Sequence, residues 1–228
     1  MKPILIVLSL CFFMTNGFAQ STTPTGIKLD RAWKISLNEF AVKNVVHASW
    51  GYSHSERNYH NTKKISDTEN LQIDEDVLLA AAFLHDVGGL PGFEKEGVDH
   101  GVRSAEVGIP LLRSWGFPET KLAMVEQIII DHIYYGSKPT HPWAQAFRDA
   151  DMLDFLGVMG VSRILAATLE MGTYPAIKNS VDTIIVLSKK LPPEFSFPSS
   201  KKEGSKRLLE TQAFLKNLQN YSFNTKAY

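Results

Sequence analysis

The apolar residues of this chain recur at helical spacing in successive segments, and no segment shows the alternation that is typical of a β-strand. The predicted helices cover about residues 29–48, 53–65, 74–87, 100–115, 119–135, 143–171, 181–190 and 201–221. The segment 143–171 is interrupted near Gly157 and Gly160, so it is expected to form one or two helices. The sequence therefore predicts an all-α fold.

The predicted helix within 74–89 is apolar on nearly every face from Val77 to Leu84, which is typical of a buried central helix. Asp74 is expected to cap its start, and the pair Gly88-Gly89 is expected to end it in the left-handed conformation.

His85 and Asp86 lie in the last turn of this helix, where both side chains should be largely removed from water. An unpaired buried charge costs several kcal/mol, so a partner must compensate for it. The partner is either a hydrogen bond or ion pair within the core, or a bound cation.

The first residues are typical of a secretory signal. Lys2 precedes an apolar run from Ile4 to Met14, and the small residues Gly17 and Ala19 favour cleavage after Ala19. We therefore predict a signal peptide over 1–19, a flexible lead-in over 20–28 and one domain over 29–228. The expected location is periplasmic or secreted, without a stable membrane anchor.

Composition excludes several kinds of chemistry. The only cysteine, Cys11, lies in the predicted signal, so the mature chain would have no disulfide, thiolate ligand or cysteine nucleophile. The 24 basic and 24 acidic residues give no positive excess for binding a nucleic acid polymer. A metal would have to be held by His, Asp or Glu.

Candidate ligands occur on predicted helices or at their ends: His54, His85, Asp86, His100, His132 and Asp151. Helical bundles assemble metal sites in their core by contributing one or two such side chains from each of several helices.

The order and surroundings of these residues resemble the HD superfamily of metal-dependent phosphohydrolases. The matching pieces are His54-Ser-Glu-Arg57, the run from Ala80 to Gly88, Ile129-Ile-Asp-His132 and the run from Asp149 to Gly157. The similarity extends over about 54–163 and looks like the small, single-domain bacterial branch of that superfamily. It implies an HD-type helical bundle with the metal site in its core.

The resemblance implies that the metal ligands are His54, His85, Asp86 and Asp151. The ion would be Mn²⁺, Mg²⁺, Fe²⁺, Zn²⁺ or Ni²⁺, and one ion is favoured over two, although Asp86 could bridge to a second. His60 competes with His54, which is preferred because Arg57 follows it at the family's spacing.

Five further residues are given supporting roles. His100 and His132 would hold a second ion or substrate phosphate, or protonate the leaving group, although His100 could simply begin a helix. Arg57 and Arg103 are the candidate substrate-binding residues. Asp154, three residues after Asp151, is expected to support a ligand histidine or Arg57.

One position departs from the family pattern. Many phosphohydrolases of the family have a basic residue directly after the last ligand Asp, and here that position is Met152. Phosphate binding would then fall to Arg103 or Lys95, or the substrate would not be a nucleotide polyphosphate.

The predicted function is metal-dependent hydrolysis of a small phosphate ester, possibly a nucleotide, with Asp86, His132 and His100 as catalytic residues. Two alternatives stay open: a di-iron oxygenase of the HD type, and a non-catalytic binding module whose metal is structural.

Overall fold

The computed structural model describes residues 22–170 and 177–222, and these ranges contain nine α-helices. They are α1 (Ala32–Asn44), α2 (Tyr52–Thr68), α3 (Glu75–Leu84), α4 (His100–Ser114), α5 (Glu119–Asp131), α6 (Pro142–Leu153), α7 (Gly157–Glu170), α8 (Ile177–Lys190) and α9 (Pro198–Tyr221). Single 3-10 turns cover Val87–Gly89 and Pro192–Glu194. The predicted all-α class is confirmed.

Helix α3 is the centre of the bundle, as its sequence predicts. Each residue from Val77 to Leu84 is at most 3% exposed, and α1, α2, α4 and α5 all pack against it. The Asp74 side chain accepts hydrogen bonds from the backbone N–H groups of Asp76 and Val77, which confirms the predicted cap.

The end of α3 differs from the prediction. Gly88 and Gly89 do not adopt the left-handed conformation, because the chain continues through His85 and Asp86 into the 3-10 turn. A Cβ atom at Gly88 would lie 2.5 Å from the backbone oxygen of His100. Glycine is needed here for the close approach of α4 rather than for a left-handed stop.

Several helix bounds also differ from the sequence pattern. Helix α1 begins at Ala32, and Asp30 does not cap it but pairs with Lys34. The predicted segment 143–171 forms two helices, α6 and α7, and Gly157 at the junction has φ of +72°. A positive φ is accessible to glycine at little cost, so the break falls there.

Residues 22–28 lie against the domain, which differs from the expected flexible lead-in. The backbone closes a bridge between Thr22 and Lys28, and Thr25 donates two hydrogen bonds to Glu56 of α2. Ile27 is 6% exposed and belongs to the core, because an apolar side chain gains free energy by burial. The predicted signal peptide lies outside the described residues.

A second apolar cluster joins α6, α7 and α8 through residues such as Leu153, Ile164 and Ile184. Helix α9 packs on α6 and α7, and α8 packs on α7 and α9. Within the described part of the chain, no helix has the length and apolar character needed to cross a membrane.

Candidate metal centre

Three helices bring the four predicted metal ligands together. His54 lies in the first turn of α2, His85 caps the end of α3, Asp86 follows it, and Asp151 lies in the last turn of α6. The Nε2 atoms of His54 and His85 are 3.2 Å apart. The Asp86 Oδ2 atom is 3.2 Å from Nε2 of His85, and the Asp151 Oδ1 atom is 3.1 Å from Nε2 of His54.

A second cluster shares Asp86 with the first. His100 begins α4 and His132 follows the end of α5. Their Nε2 atoms are 3.2 Å apart, and each lies 3.5 Å from Oδ1 of Asp86. The two oxygens of Asp86 therefore face different histidine pairs, and the structure brings all six candidate ligands into one site.

The orientation of the imidazoles fits a cation. The Nδ1–H groups of His85 and His132 donate to the backbone oxygens of Ala82 and Ile129, and Nδ1 of His54 lies 2.7 Å from Oδ2 of Asp154. These contacts leave the Nε2 lone pairs pointing inward. Two facing lone pairs repel each other unless a proton or a metal ion lies between them. The donor set of imidazole nitrogen and carboxylate oxygen suits a divalent metal.

The carboxylates dominate the electrostatics of the site. Burial and Arg163 disfavour the charged form of His54, but Asp151, Asp154 and Asp86 outweigh both and raise the pKa of His54 to about 9. Burial would raise the pKa of Asp86, but the neighbouring histidines hold it well below its usual range. The carboxylates thus stay ionised, and an ion that binds Nε2 of His54 must displace a proton from it.

Asp154 supports the first cluster by contacting the Nδ1 side of His54, opposite the Nε2 atom. Its carboxylate is 1% exposed and accepts hydrogen bonds from Arg57 Nε at 2.9 Å and from His54. The Arg163 guanidinium, 3% exposed, lies 2.9 Å from the same carboxylate. Asp154 thus contacts a ligand histidine, His54, and also Arg57, and these are the two kinds of partner expected from the sequence.

The two predicted substrate-binding arginines do not line the cavity above the metal ligands. Arg57 pairs with Asp154, and Arg103 donates to the backbone oxygen of Phe93 and pairs with Glu106. Met152 is fully buried. His60 is exposed and lies 2.8 Å from Thr25 Oγ1, away from both histidine clusters.

A cavity of about 400 Å³ opens above the site. Asp86 and His100 contribute to its floor, and its walls include Trp50, Tyr134 and Phe155. None of the described lining residues is Lys or Arg. The size suits a small molecule, and the walls present flat apolar surfaces to it.

Two buried residues of the site were given no role from the sequence. Arg163 contacts Asp154 from α7, which sequence spacing does not reveal. Asn58 has its Nδ2 atom 3.2 Å from both His85 Nε2 and Asp151 Oδ1. Asn58 lies four residues after His54 on the same helix face, and this spacing could have predicted that it lies near the metal ligands.

Comparisons with known proteins agree with this geometry. The family model described as HD domain matches residues 51–156. Comparison by sequence with curated proteins gives no match.

Solved structures share the fold at low sequence identity. A Lactobacillus plantarum protein has 18% identity and a TM-score of 0.63, covering 82% of this chain and 94% of its own. A predicted HD superfamily hydrolase from an uncultured Thermotogales bacterium has 23% identity and a TM-score of 0.58, with coverages of 84% and 93%. Bacillus subtilis YpgQ in complex with ADP has 17% identity and a TM-score of 0.60, with coverages of 81% and 96%.

The matched region contains His54, the His85-Asp86 pair, His132 and Asp151. The family model identifies residues 51–156 as an HD domain, the family that the sequence resembles, and the solved structures share the fold.

Proposed function

We propose that the protein hydrolyses phosphate esters with a divalent metal held by His54, His85, Asp86 and Asp151. The observation that carries this proposal is the convergence of inward-facing imidazole nitrogens on Asp86, which lines a small-molecule cavity together with His100. A divalent ion bound there supplies Lewis acidity toward a phosphoryl oxygen and lowers the pKa of a bound water.

Asp86 has the central role among the chain's own groups. Its carboxylate stays ionised inside the site because the surrounding histidines lower its pKa against the effect of burial. It contacts both histidine pairs, so it can hold one ion or join two.

The pair of His100 and His132 can act as a proton donor in the form with one ion. A proton shared across the 3.2 Å between their Nε2 atoms lies beside the cavity, and His100 lines that cavity. Burial disfavours the charged form of His132, but Asp86 outweighs it and raises the pKa of His132. The imidazolium is thus available to protonate a leaving oxygen.

The cavity favours a substrate with a flat apolar group and little charge outside the phosphate. Trp50, Tyr134 and Phe155 present aromatic surface, and no cationic side chain of the described lining is available for further phosphates. The ADP bound to Bacillus subtilis YpgQ supports including nucleotides among the candidate substrates. We favour monophosphate esters over polyphosphates.

A second candidate function is oxidation by a di-iron centre. Two histidine pairs around one shared carboxylate could hold two ions, and the lining lacks the basic side chains that a phosphate would favour. A binding module with a structural metal is the non-catalytic alternative.

The signal pattern of residues 1–19 supports export, so we place the activity in the periplasm or outside the cell. When cells that express the full chain are fractionated, the protein should then be found outside the cytoplasm without residues 1–19.

The test is a screen of phosphate esters with the purified protein after removal of metal and reloading with Mn²⁺, Mg²⁺, Fe²⁺, Zn²⁺ or Ni²⁺. We expect phosphate release that requires metal and disappears with Asp86→Asn. Two irons per chain with O₂ uptake and no phosphate release would favour the oxygenase. Bound metal without turnover in either assay would favour the binding module.

A further inference from the structure

Asn58 lies inside the metal centre although no motif assigns it there. It follows His54 by one helical turn on α2 and is fully buried. Its Nδ2 atom is 3.3 Å from His54 Nε2, 3.2 Å from His85 Nε2 and 3.2 Å from Asp151 Oδ1. One atom of the amide therefore contacts three of the four expected ligand atoms.

The other amide atom has no partner among the described residues. Oδ1 of Asn58 is buried and accepts no hydrogen bond there. A buried acceptor without a partner costs about 1–3 kcal/mol, which an apolar side chain of the same shape would avoid. The cost indicates that the amide is present for a reason other than packing.

The spacing around Nδ2 is that of neighbouring ligands on one ion. Ligand bonds of about 2.1 Å in octahedral geometry place adjacent ligand atoms about 3.0 Å apart. Nδ2 lies 3.2–3.3 Å from the His54 and His85 Nε2 atoms and from Asp151 Oδ1, which comes close to this value. His54 Nε2 lies 3.2 Å from His85 Nε2 and 3.1 Å from Asp151 Oδ1. The nitrogen and oxygen of an amide have nearly the same shape, so a half-turn of the side chain places Oδ1 at this corner.

We propose that Asn58 is a further protein ligand of this ion through Oδ1. In the ion-free protein the amide presents Nδ2, which donates to Asp151 Oδ1 and lies beside the Nε2 atoms of His54 and His85; with the ion bound it presents Oδ1. The inference rests on the metal centre of the proposed function.

An amide oxygen also makes the site selective. Carbonyl oxygen suits harder ions such as Mn²⁺ and Mg²⁺, whereas Zn²⁺ is commonly satisfied by four ligands, which His54, His85, Asp86 and Asp151 already supply. Removal of the Asn58 oxygen should thus weaken Mn²⁺ binding more than Zn²⁺ binding.

The experiment compares Asn58→Leu and Asn58→Asp in the full chain, with Asn61→Leu on the same helix as the matched control. Affinities of the metal-free proteins for Mn²⁺ and Zn²⁺ are measured by competition with a fluorescent chelator, and folding by circular dichroism. We expect Asn58→Leu to weaken Mn²⁺ binding by about 10- to 100-fold, with a smaller effect on Zn²⁺. Asn58→Asp and Asn61→Leu should keep the Mn²⁺ affinity.

The Asn58→Asp variant separates a ligand from a hydrogen-bond donor. The ionised carboxylate that it introduces accepts but cannot donate, so a donor role predicts that both Asn58 variants lose affinity equally. That result, or unchanged Mn²⁺ binding by Asn58→Leu, would overturn the inference. If Asn58→Leu does not fold, weakened binding by Asn58→Asp alone overturns it. A wild-type protein that binds neither ion would instead count against the proposed function.

Discussion

Replacement of Asp154 by Asn should destabilise the domain and weaken metal binding at the same time. The substitution keeps the shape of the side chain but removes the charge that faces His54, Arg57 and Arg163. The two arginines differ in exposure, with side chains 27% and 3% exposed, and this difference sets the size of the effect.

The loss of stability depends on which of the two arginine side chains can be hydrated once the carboxylate charge is removed. Arg57 can be rehydrated, so its share of the loss is about 0.5–1 kcal/mol. Arg163 cannot, and an unpaired buried charge costs about 3–5 kcal/mol when one partner is removed. The amide oxygen still accepts one hydrogen bond, so we expect a total loss of about 3 kcal/mol. This is a large part of the roughly 5–15 kcal/mol by which a domain is stable.

Metal affinity should fall for a different reason. The carboxylate of Asp154 holds the Nδ1 side of His54, which orients Nε2 toward the ion. Loss of such a supporting carboxylate typically lowers metal affinity by about 10- to 100-fold.

The assay is urea denaturation of the metal-free protein at neutral pH, followed by Mn²⁺ titration of the folded protein. Asp149→Asn is the matched control, because Asp149 is equally buried on α6 but accepts from the backbone N–H groups of Ser196 and Phe197. These bonds involve no metal ligand, so Asp149→Asn should leave the Mn²⁺ affinity unchanged. Equal unfolding free energies and equal Mn²⁺ affinities for Asp154→Asn and wild type would refute the reasoning.

Two further substitutions test the supports of α3. Burial alone would raise the pKa of Asp76, but Lys121 and Arg31 outweigh burial and lower that pKa. The Asp76 carboxylate therefore stabilises the fold above about pH 4, and this stabilisation is lost as the pH falls through the lowered pKa. Asp76→Asn should therefore cost about 1–2 kcal/mol at pH 7 and less near pH 2, as measured by denaturation; an equal cost at both pH values would contradict this. Gly88→Ala should cost about 1–3 kcal/mol because the added Cβ would meet the α4 backbone. At Gly89 the added Cβ would have its nearest neighbour 3.6 Å away, so Gly89→Ala should be close to neutral in the same assay.

The sequence predicts the centre of the fold well because α3 is specified locally. Its apolar run has no exposed face, and Asp74 marks its start, so burial and cap could both be read from adjacent residues. Two of the candidate ligands could be predicted from the same pattern, because His85 and Asp86 extend a helix that must be buried. His54 could be preferred over His60 only through the family spacing, and the structure places His60 at the surface.

What the sequence misses depends on contacts between distant segments. Gly88 looks like a helix stop, but its small size serves an approach to α4 that no local pattern encodes. Arg163 and Asn58 are ordinary helix residues until the fold brings them to Asp154 and His85. The shared position of Asp86 between two histidine pairs likewise depends on where α4 and α5 lie.

The donors around Asp86 come from five separate helical segments, the first in α2 and the last in α6. No nascent chain that ends before Asp151 can present the complete site, so an ion is selected only after most of the domain has been synthesised and folded. If the chain crosses the inner membrane before it folds, the metal pool of the destination compartment decides which ion the enzyme carries. If the protein is exported unfolded and binds the proposed ion, the long sequence span of the ligands would make metal identity a property of the place of folding.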